Sequence, residues 1–473
     1  MQLVAYGAQD IYLTGNPQIT FFKVIYRRHT NFSMESIEQT FNGQADFGKK
    51  VTCTISRNGD LIHRTYLRVE LPSVTVPNNT SFRWLNWVGH IMIRNVELEI
   101  GGQRIDKHYG DWLHIWNELT QTAGHQLGYA NLVGNIPSLT MPLNNTSGSS
   151  ATLNGQVLWI PLEFWFARNP GLALPLIALQ YHEVKVNLDL RPASDCYWAA
   201  TTADAGTTWT YNANAVSTPS MSSCSLYVDY VYLDTDERRR FAQVSHEYLI
   251  EQLQFTGDES TNTSSNKIKL NFNHPCKELI WVVQPDDNTN QSTAPFGAQW
   301  FNYTDSFDYT YVPAGSPNGG AYNASNVNLI APSPFADRDA GSMPGMAAGG
   351  ANGVFIPVSF ENGSNPVKWA KLQLNGHDRF SERDGRYFNL VQPYQHHENV
   401  PSQGINVYSF GLKPEEHQPS GTCNFSRIDN ATLSLTLTPA TVTGGRTSKV
   451  RVYAVNYNVL RIMSGMGGLA YSN

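Results

Sequence analysis

The sequence predicts an all-β protein built from two consecutive copies of one antiparallel module, with short helices and long inserted loops. Three observations carry this. Period-2 alternation dominates, as in "KVTCTISRNGD" (50–60), "HEVKVNLDL" (182–190), "KIKLNFN" (267–273) and "ATLSLTLT" (431–438), with Gly, Pro and Asn pairs between the runs. Clear helical pieces are few and short. The chain also repeats itself weakly. "RRHTNFSMESIEQTFNG" (27–43) is similar to "RRFAQVSHEYLIEQLQFTG" (239–257), and "VELEIGGQRIDKHYGDW" (96–112) to "AKLQLNGHDRFSERDGR" (370–386). "IALQYHEVKVNLDL" (177–190) holds the place of "CNFSRIDNATLSLTL" in the second half. At 473 residues the chain is long for a single core and fits two or three domains.

Taken in order, residues 1–26 read as an N-terminal arm, 27–233 as the first module, 234–245 as a linker helix, 246–460 as the second module and 461–473 as a tail. "NPQITFFKVIYRR" (16–28) predicts one helix, capped by Asn16, with Pro17 in its first turn and Lys23, Arg27 and Arg28 near its C-terminal end. "YGDWLHIWNELT" (109–120) predicts another, because Trp112, Ile115, Trp116 and Leu119 form one apolar stripe. In the linker, Asp234 or Thr235 caps a short helix, and Asp236 and Glu237 precede the arginines, as the helix dipole favours. The first repeat offset is about 212 residues and the second about 274, so the second copy carries an insertion. Its place is 285–365, rich in Gly, Asn, Ser, Pro and Ala and long enough to carry short strands of its own. Residues 134–156 read as a smaller version in the first copy.

Composition narrows the function. Charged residues are only 15% of the chain against 41% hydrophobic, a deficit that suggests surface covered by other subunits. The net charge of −6 and the absence of a basic tail speak against direct nucleic-acid packing. The five cysteines are scattered, odd in number and never in a CxxC pair, which implies reduced thiols and neither a disulfide framework nor a zinc site. The N-terminal stretch has no basic region ahead of an apolar run, so it does not read as a signal peptide.

Candidate chemistry is thin. Asp111, His114 and Glu118 share one face of the predicted helix and could bind a metal, but they are also simply the face opposite the Trp stripe. His274 and Cys276 lack an oxyanion loop, and His396-His397 reads as a solvated turn. Glu97 and Glu99 lie at i, i+2 on one strand face, a spacing that a β-sandwich glycosidase and a solvated strand edge both allow. In "PSGTCNFSRIDNATLSLTL" (419–437) the Cys, Arg and Asp resemble a site, but alternation resumes at once, so the segment reads as a strand start with Cys423 and Phe425 facing the core. No catalytic, cofactor or metal residue is assigned.

Four longer stretches then point to a family. "QLVAYGAQDIYLTGNPQITFFKVIYRRHTNFSMESIEQTF", "ISRNGDLI", "LDTDERRRFAQ" and "YSFGLKPEEHQPSGTCNFSRIDNATL" together resemble the major capsid proteins of nucleocytoplasmic large DNA viruses, of the algal and amoebal types. The resemblance implies two consecutive eight-stranded jelly rolls and a non-enzymatic homotrimer of pseudo-hexagonal outline, tiling an icosahedral shell over an internal membrane. It implies no cofactor. The partners it implies are further copies of the chain, minor capsid or cement and penton proteins, and the membrane near the N-terminal arm, with assembly in the host cytoplasm. The inserts would be outward-facing tower loops. The alternative is a carbohydrate-binding or carbohydrate-active β-sandwich. Glycan attachment, if present, is expected at the loop sequons Asn144, Asn145, Asn290, Asn302, Asn323 and Asn362, and not at Asn31, Asn424 or Asn430 beside core strands.

Overall fold

The computed structural model describes residues 5–204, 206, 209–294, 296–307, 309–311, 329–330, 358–360 and 363–471. The first module contributes eight long strands: β1 (Phe32–Gln39), β2 (Lys50–Thr54), β3 (Leu61–Glu70), β4 (Ile93–Ile100), β5 (Gln103–Tyr109), β6 (Val157–Pro161), β7 (Val184–Leu190) and β8 (Ser223–Leu233). They pair antiparallel into two sheets of order β1-β8-β3-β6 and β2-β7-β4-β5. The second module repeats the plan with β9 (His246–Phe255), β10 (Ser265–Leu270), β11 (Pro275–Pro285), β12 (Val367–Leu374), β13 (His377–Asp384), β14 (Ile405–Ser409), β15 (Ala431–Leu437) and β16 (Ser448–Met463). Their order is β9-β16-β11-β14 and β10-β15-β12-β13, the first order with eight added to each strand. Two four-stranded sheets in this interleaved order are a jelly roll, and the chain contains two.

The alternation read from the sequence is what closes each sandwich. Along β15, Ala431, Leu433, Leu435 and Leu437 are buried while the Thr and Ser residues between them are half-exposed. Each such leucine contributes roughly 2 kcal/mol by leaving water. In the facing sheet Leu279, Trp281 and Val283 of β11 enter the same core. The three internal repeats fall on equivalent elements: β1 and β9, the β4–β5 and β12–β13 hairpins, and β7 and β15. Both hairpins turn through two left-handed residues, Gly101-Gly102 and Asn375-Gly376, as the twist of a two-residue turn requires.

The helix α1 (Gly110–Thr120) and the linker helix α2 (Thr235–Gln243) form as expected, the latter capped by Asp234, whose side chain accepts from the Glu237 N–H at 2.9 Å. The expected helix over 16–28 does not form. These residues are irregular and exposed, and Asn16 adopts φ +50° in place of a cap conformation. Its apolar residues surround the axis and present no single stripe, and a 13-residue segment without a packed face does not hold a helix in water.

The large insertion joins β11 to β12 and carries its own three-stranded sheet, in which Tyr309–Tyr311 pairs with Leu329–Ile330 and Val358–Phe360. Residues 134–156 are not its counterpart. They belong to the β5–β6 connection, whereas the equivalent β3–β4 connection of the first roll is residues 71–92. Composition marked both as loops, but only pairing order shows which connection each one makes. Residues 419–437 begin as expected: Cys423–Asn424 pairs with Pro275–Cys276, Phe425 is buried, and the Asp429 and Asn430 N–H groups donate to Asn375 Oδ1 at 3.0 and 3.1 Å. Cys423 is only half-buried, at the rim of the core. No helix among the described residues is long and apolar enough to cross a membrane.

Candidate functional site

The helix α1 lies in the seam between the rolls, which Ile250, Leu460 and Ile462 of the second roll also line by packing into the first roll's core. Trp112, Ile115, Trp116 and Leu119 are buried against Ile280 and Val282 of β11, Ile405 and Val407 of β14, and Tyr453 and Val455 of β16. These six lie on the face of the second roll's sheet that points away from its own core. The opposite face of α1 is covered too, with Asp111 and His114 buried and Glu118 half-buried. Asp111 pairs with Arg451 at 3.4 Å and Arg191 at 3.9 Å, His114 stacks on Phe301 at 4.3 Å, and Glu118 accepts from the Ser402 N–H at 3.1 Å. The three residues that could have formed a metal site therefore serve three different contacts, each tying the first roll to the second.

A second tie is ionic. Arg168 meets Glu251 at 2.9 Å and stacks over the Trp116 ring at 4.2 Å. Glu251 also receives Lys277 at 2.8 Å and His417 at 3.4 Å. Beside it, His397 lies between Glu278 and Glu415, at 2.8 Å from each. Burial alone would push His397 down, but the two carboxylates raise it to about 9. The expected solvated turn at His396-His397 is thus wrong for His397, which is buried and paired. Sequence reasoning missed the whole cluster, because "KPEEHQ" (413–418) reads as a charged loop and nothing local shows that it folds inward.

The other candidates resolve plainly. Burial pushes the Cys276 thiol well up, which makes it a poor nucleophile, and its Sγ donates to the Glu278 carbonyl at 3.0 Å. Glu97 pairs with Lys107 at 2.8 Å and Glu99 accepts from Asn187 Nδ2 at 3.1 Å, as on a solvated strand face. Arg238 of the linker helix pairs with Asp60 at 3.0 Å. Of the sequon asparagines, Asn145 is buried and its Nδ2 donates to the carbonyls of Val76, Pro77 and Ser149 at 2.7–3.0 Å. Asn302 is buried with Nδ2 donating to Gln299 and Ser306 at 2.8 and 2.9 Å. Both amide nitrogens are consumed by the fold. Asn144 is half-buried and Asn290 exposed, while Asn323 and Asn362 lie outside the described residues. Asn31, Asn424 and Asn430, set aside as neighbours of core strands, are exposed in the single chain.

One segment that the fold leaves uncovered is rich in apolar residues. Along the arm, Tyr6, Ile11, Leu13, Ile19, Phe21 and Ile25 are all mostly exposed, and Tyr12 and Phe22 are 91% and 98% exposed. Phe32 and Met34 extend this onto β1, an edge strand. So many exposed apolar side chains in one segment are the pattern of an interaction surface.

Residues 237–468 match the family model described as large eukaryotic DNA virus major capsid protein, and residues 20–234 match that for the major capsid protein N-terminus. The chain is 57% identical to the major capsid protein of Phaeocystis pouchetii virus, over 100% of this chain and 99% of that one. The chain belongs to the major capsid protein family of large eukaryotic DNA viruses. This capsid protein is also 43% identical to the major capsid protein of Paramecium bursaria Chlorella virus 1, again over 100% and 99% of the two chains. Among solved structures it is similar to a chain of the quasi-atomic model of the PBCV-1 virus capsid, with TM-score 0.67 and 39% identity over 96% of this chain and 100% of that one. It shares the fold of the Faustovirus major capsid protein at TM-score 0.69, with 14% identity over 97% of this chain and 94% of that one. The double jelly roll is thus the family fold, and the capsid protein's place is the virion shell.

Proposed function

We propose that the chain acts as a non-enzymatic building block, a homotrimer whose six jelly rolls give a pseudo-hexagonal capsomer that tiles an icosahedral shell. The observation that carries this is the repeated strand order. Two like rolls fixed side by side by buried contacts make a third of a six-membered ring, and a closed ring of three chains satisfies all equivalent surfaces. The exposed apolar arm and the low charge content support burial against further copies. The partition into an arm at 1–26, rolls at 27–233 and 246–460, a linker at 234–245 and a tail at 461–473 belongs to the same reading. So does an arm that faces inward, toward minor capsid proteins or the membrane, with towers facing out and assembly in the host cytoplasm. Light scattering of the dilute purified protein tests it: the expected mass is three times the chain's 52.7 kDa, and a stable folded monomer contradicts it.

A further inference from the structure

We propose that Leu390, Val391 and Tyr394 dock, in the assembled capsomer, on the outer face of the β1-β8-β3-β6 sheet of a second copy of this chain. The inference rests on the trimeric reading above and names the surface that reading uses.

The seam inside the chain is the template. The second roll has its own helix after β13, here α3 (residues 387–396), formed by Tyr387–Val391 continuing into Gln392–His396. Gly110 opens α1, where a Cβ would collide with the Ile93 carbonyl at the start of β4. Gly385 precedes α3, where a Cβ would collide with the Val367 carbonyl at the start of β12. The two glycines therefore hold the same place in the two rolls. Counted from them, Trp112, Ile115, Trp116 and Leu119 correspond to Tyr387, Leu390, Val391 and Tyr394. In the first roll this stripe is buried on the neighbouring sheet. In the second, Tyr387 is half-buried against its own roll's core, while Leu390 is 39%, Val391 40% and Tyr394 80% exposed. The same position carries an apolar stripe in both rolls, and the single chain covers only one of them.

The receiving face is open in the same sense. The outer face of β9-β16-β11-β14 is taken by α1. Its counterpart in the first roll presents Met34 on β1, Tyr66 on β3, Val157 and Trp159 on β6, and Tyr227 on β8, all exposed or half-exposed. Register places Tyr66 opposite both Tyr227 and Pro161, and the Trp159 and Tyr227 rings pack edge to face at 4.7 Å. Glu38 and Glu70 lie on this face together with Arg64 and Arg68, and Arg68 pairs with Glu70 at 3.6 Å, so its charges balance and the apolar side chains carry the contact. Repeating the in-chain relation between chains closes a ring of three copies with three seams within chains and three between them.

The test uses the full chain in two sets of variants, L390D/Y394D on the helix and W159D on the sheet, with the trimer–monomer dissociation concentration measured by mass photometry. Each set is expected to raise that concentration by ~100-fold, the effect of losing a central contact, while the far-UV circular dichroism of the monomer stays that of the wild type. Should either set fail to fold, L390A/Y394A and W159A replace them, with an expected rise of ~10-fold. A wild-type trimer with either set dissociating as the wild type does overturns the docking and leaves the trimer standing. A monomeric wild type overturns the trimer itself, and the docking with it.

Discussion

Arg168 in the first jelly roll and Glu251 in the second meet at 2.9 Å inside the molecule, and the same carboxylate accepts the buried Lys277 ammonium at 2.8 Å. Burial pushes the Glu251 carboxyl up, but His417, Arg168 and Lys277 outweigh it and lower the group to about 2. Removing the charge leaves Lys277 buried without its counter-ion. Glu251→Gln is therefore expected to cost about 3–5 kcal/mol, read as a lowered denaturant midpoint. Because the folded value is depressed, this contribution is present above the unfolded carboxyl range and fades as pH falls toward 2. A midpoint equal to the wild type at neutral pH would show that the network contributes nothing.

The His397 pair has the opposite sign. Its folded value, raised to about 9 by Glu278 and Glu415 against the effect of burial, means that the stabilisation is full below the unfolded histidine value of about 6.5 and is lost as pH rises through about 9. Stability should fall by roughly 3 kcal/mol across that window, and His397→Gln should flatten the slope. A histidine variant with the wild-type slope would assign the pH dependence to another group.

The seam helix should couple the two rolls. Trp116→Ala removes a buried ring from between them and is expected to cost about 3–5 kcal/mol. In calorimetry the single unfolding transition should split into two, one per roll. A single transition, merely shifted, would mean that the rolls are coupled through other contacts.

How much of this was legible beforehand differs by element. The β strands were readable because one face of each is wet and the other dry, as at Leu433, Leu435 and Leu437. The repeat was readable because the first strand, the central hairpin and the penultimate strand of each roll kept similar residues. The Trp112–Leu119 stripe announced a buried face, but its partner, a sheet whose strands lie about 160 to 340 residues away in the chain, is a matter of tertiary order. The stretch 16–28 was misread because cap and dipole signals were present without a packed face to hold the helix. His397 and Glu251 were invisible for a related reason: alternation reports what is apolar, and a buried ion pair is polar in sequence.

Glycan attachment, if it occurs, should follow exposure. Among the described loop sequons Asn290 is favoured over the half-buried Asn144, and Asn145 and Asn302 should be bare in peptide mass spectra of purified virions. Asn145→Ala should itself cost about 1–3 kcal/mol through three stranded carbonyls. Sugar on Asn145 or Asn302 would contradict the packing of these loops.

Deleting residues 1–15 should leave trimers intact and impair shell assembly, since the described part of the arm, from residue 5, is left mostly exposed by its own chain. Loss of the trimers themselves, seen by light scattering, would place the arm in the trimer interface instead.

Electron-microscopic class averages of the purified, dilute protein test the central claim most directly. The account predicts a single compact particle with three-fold symmetry and six lobes of similar size, one per jelly roll. Isolated two-lobed particles, one chain each, in a sample whose protein is fully folded would contradict it.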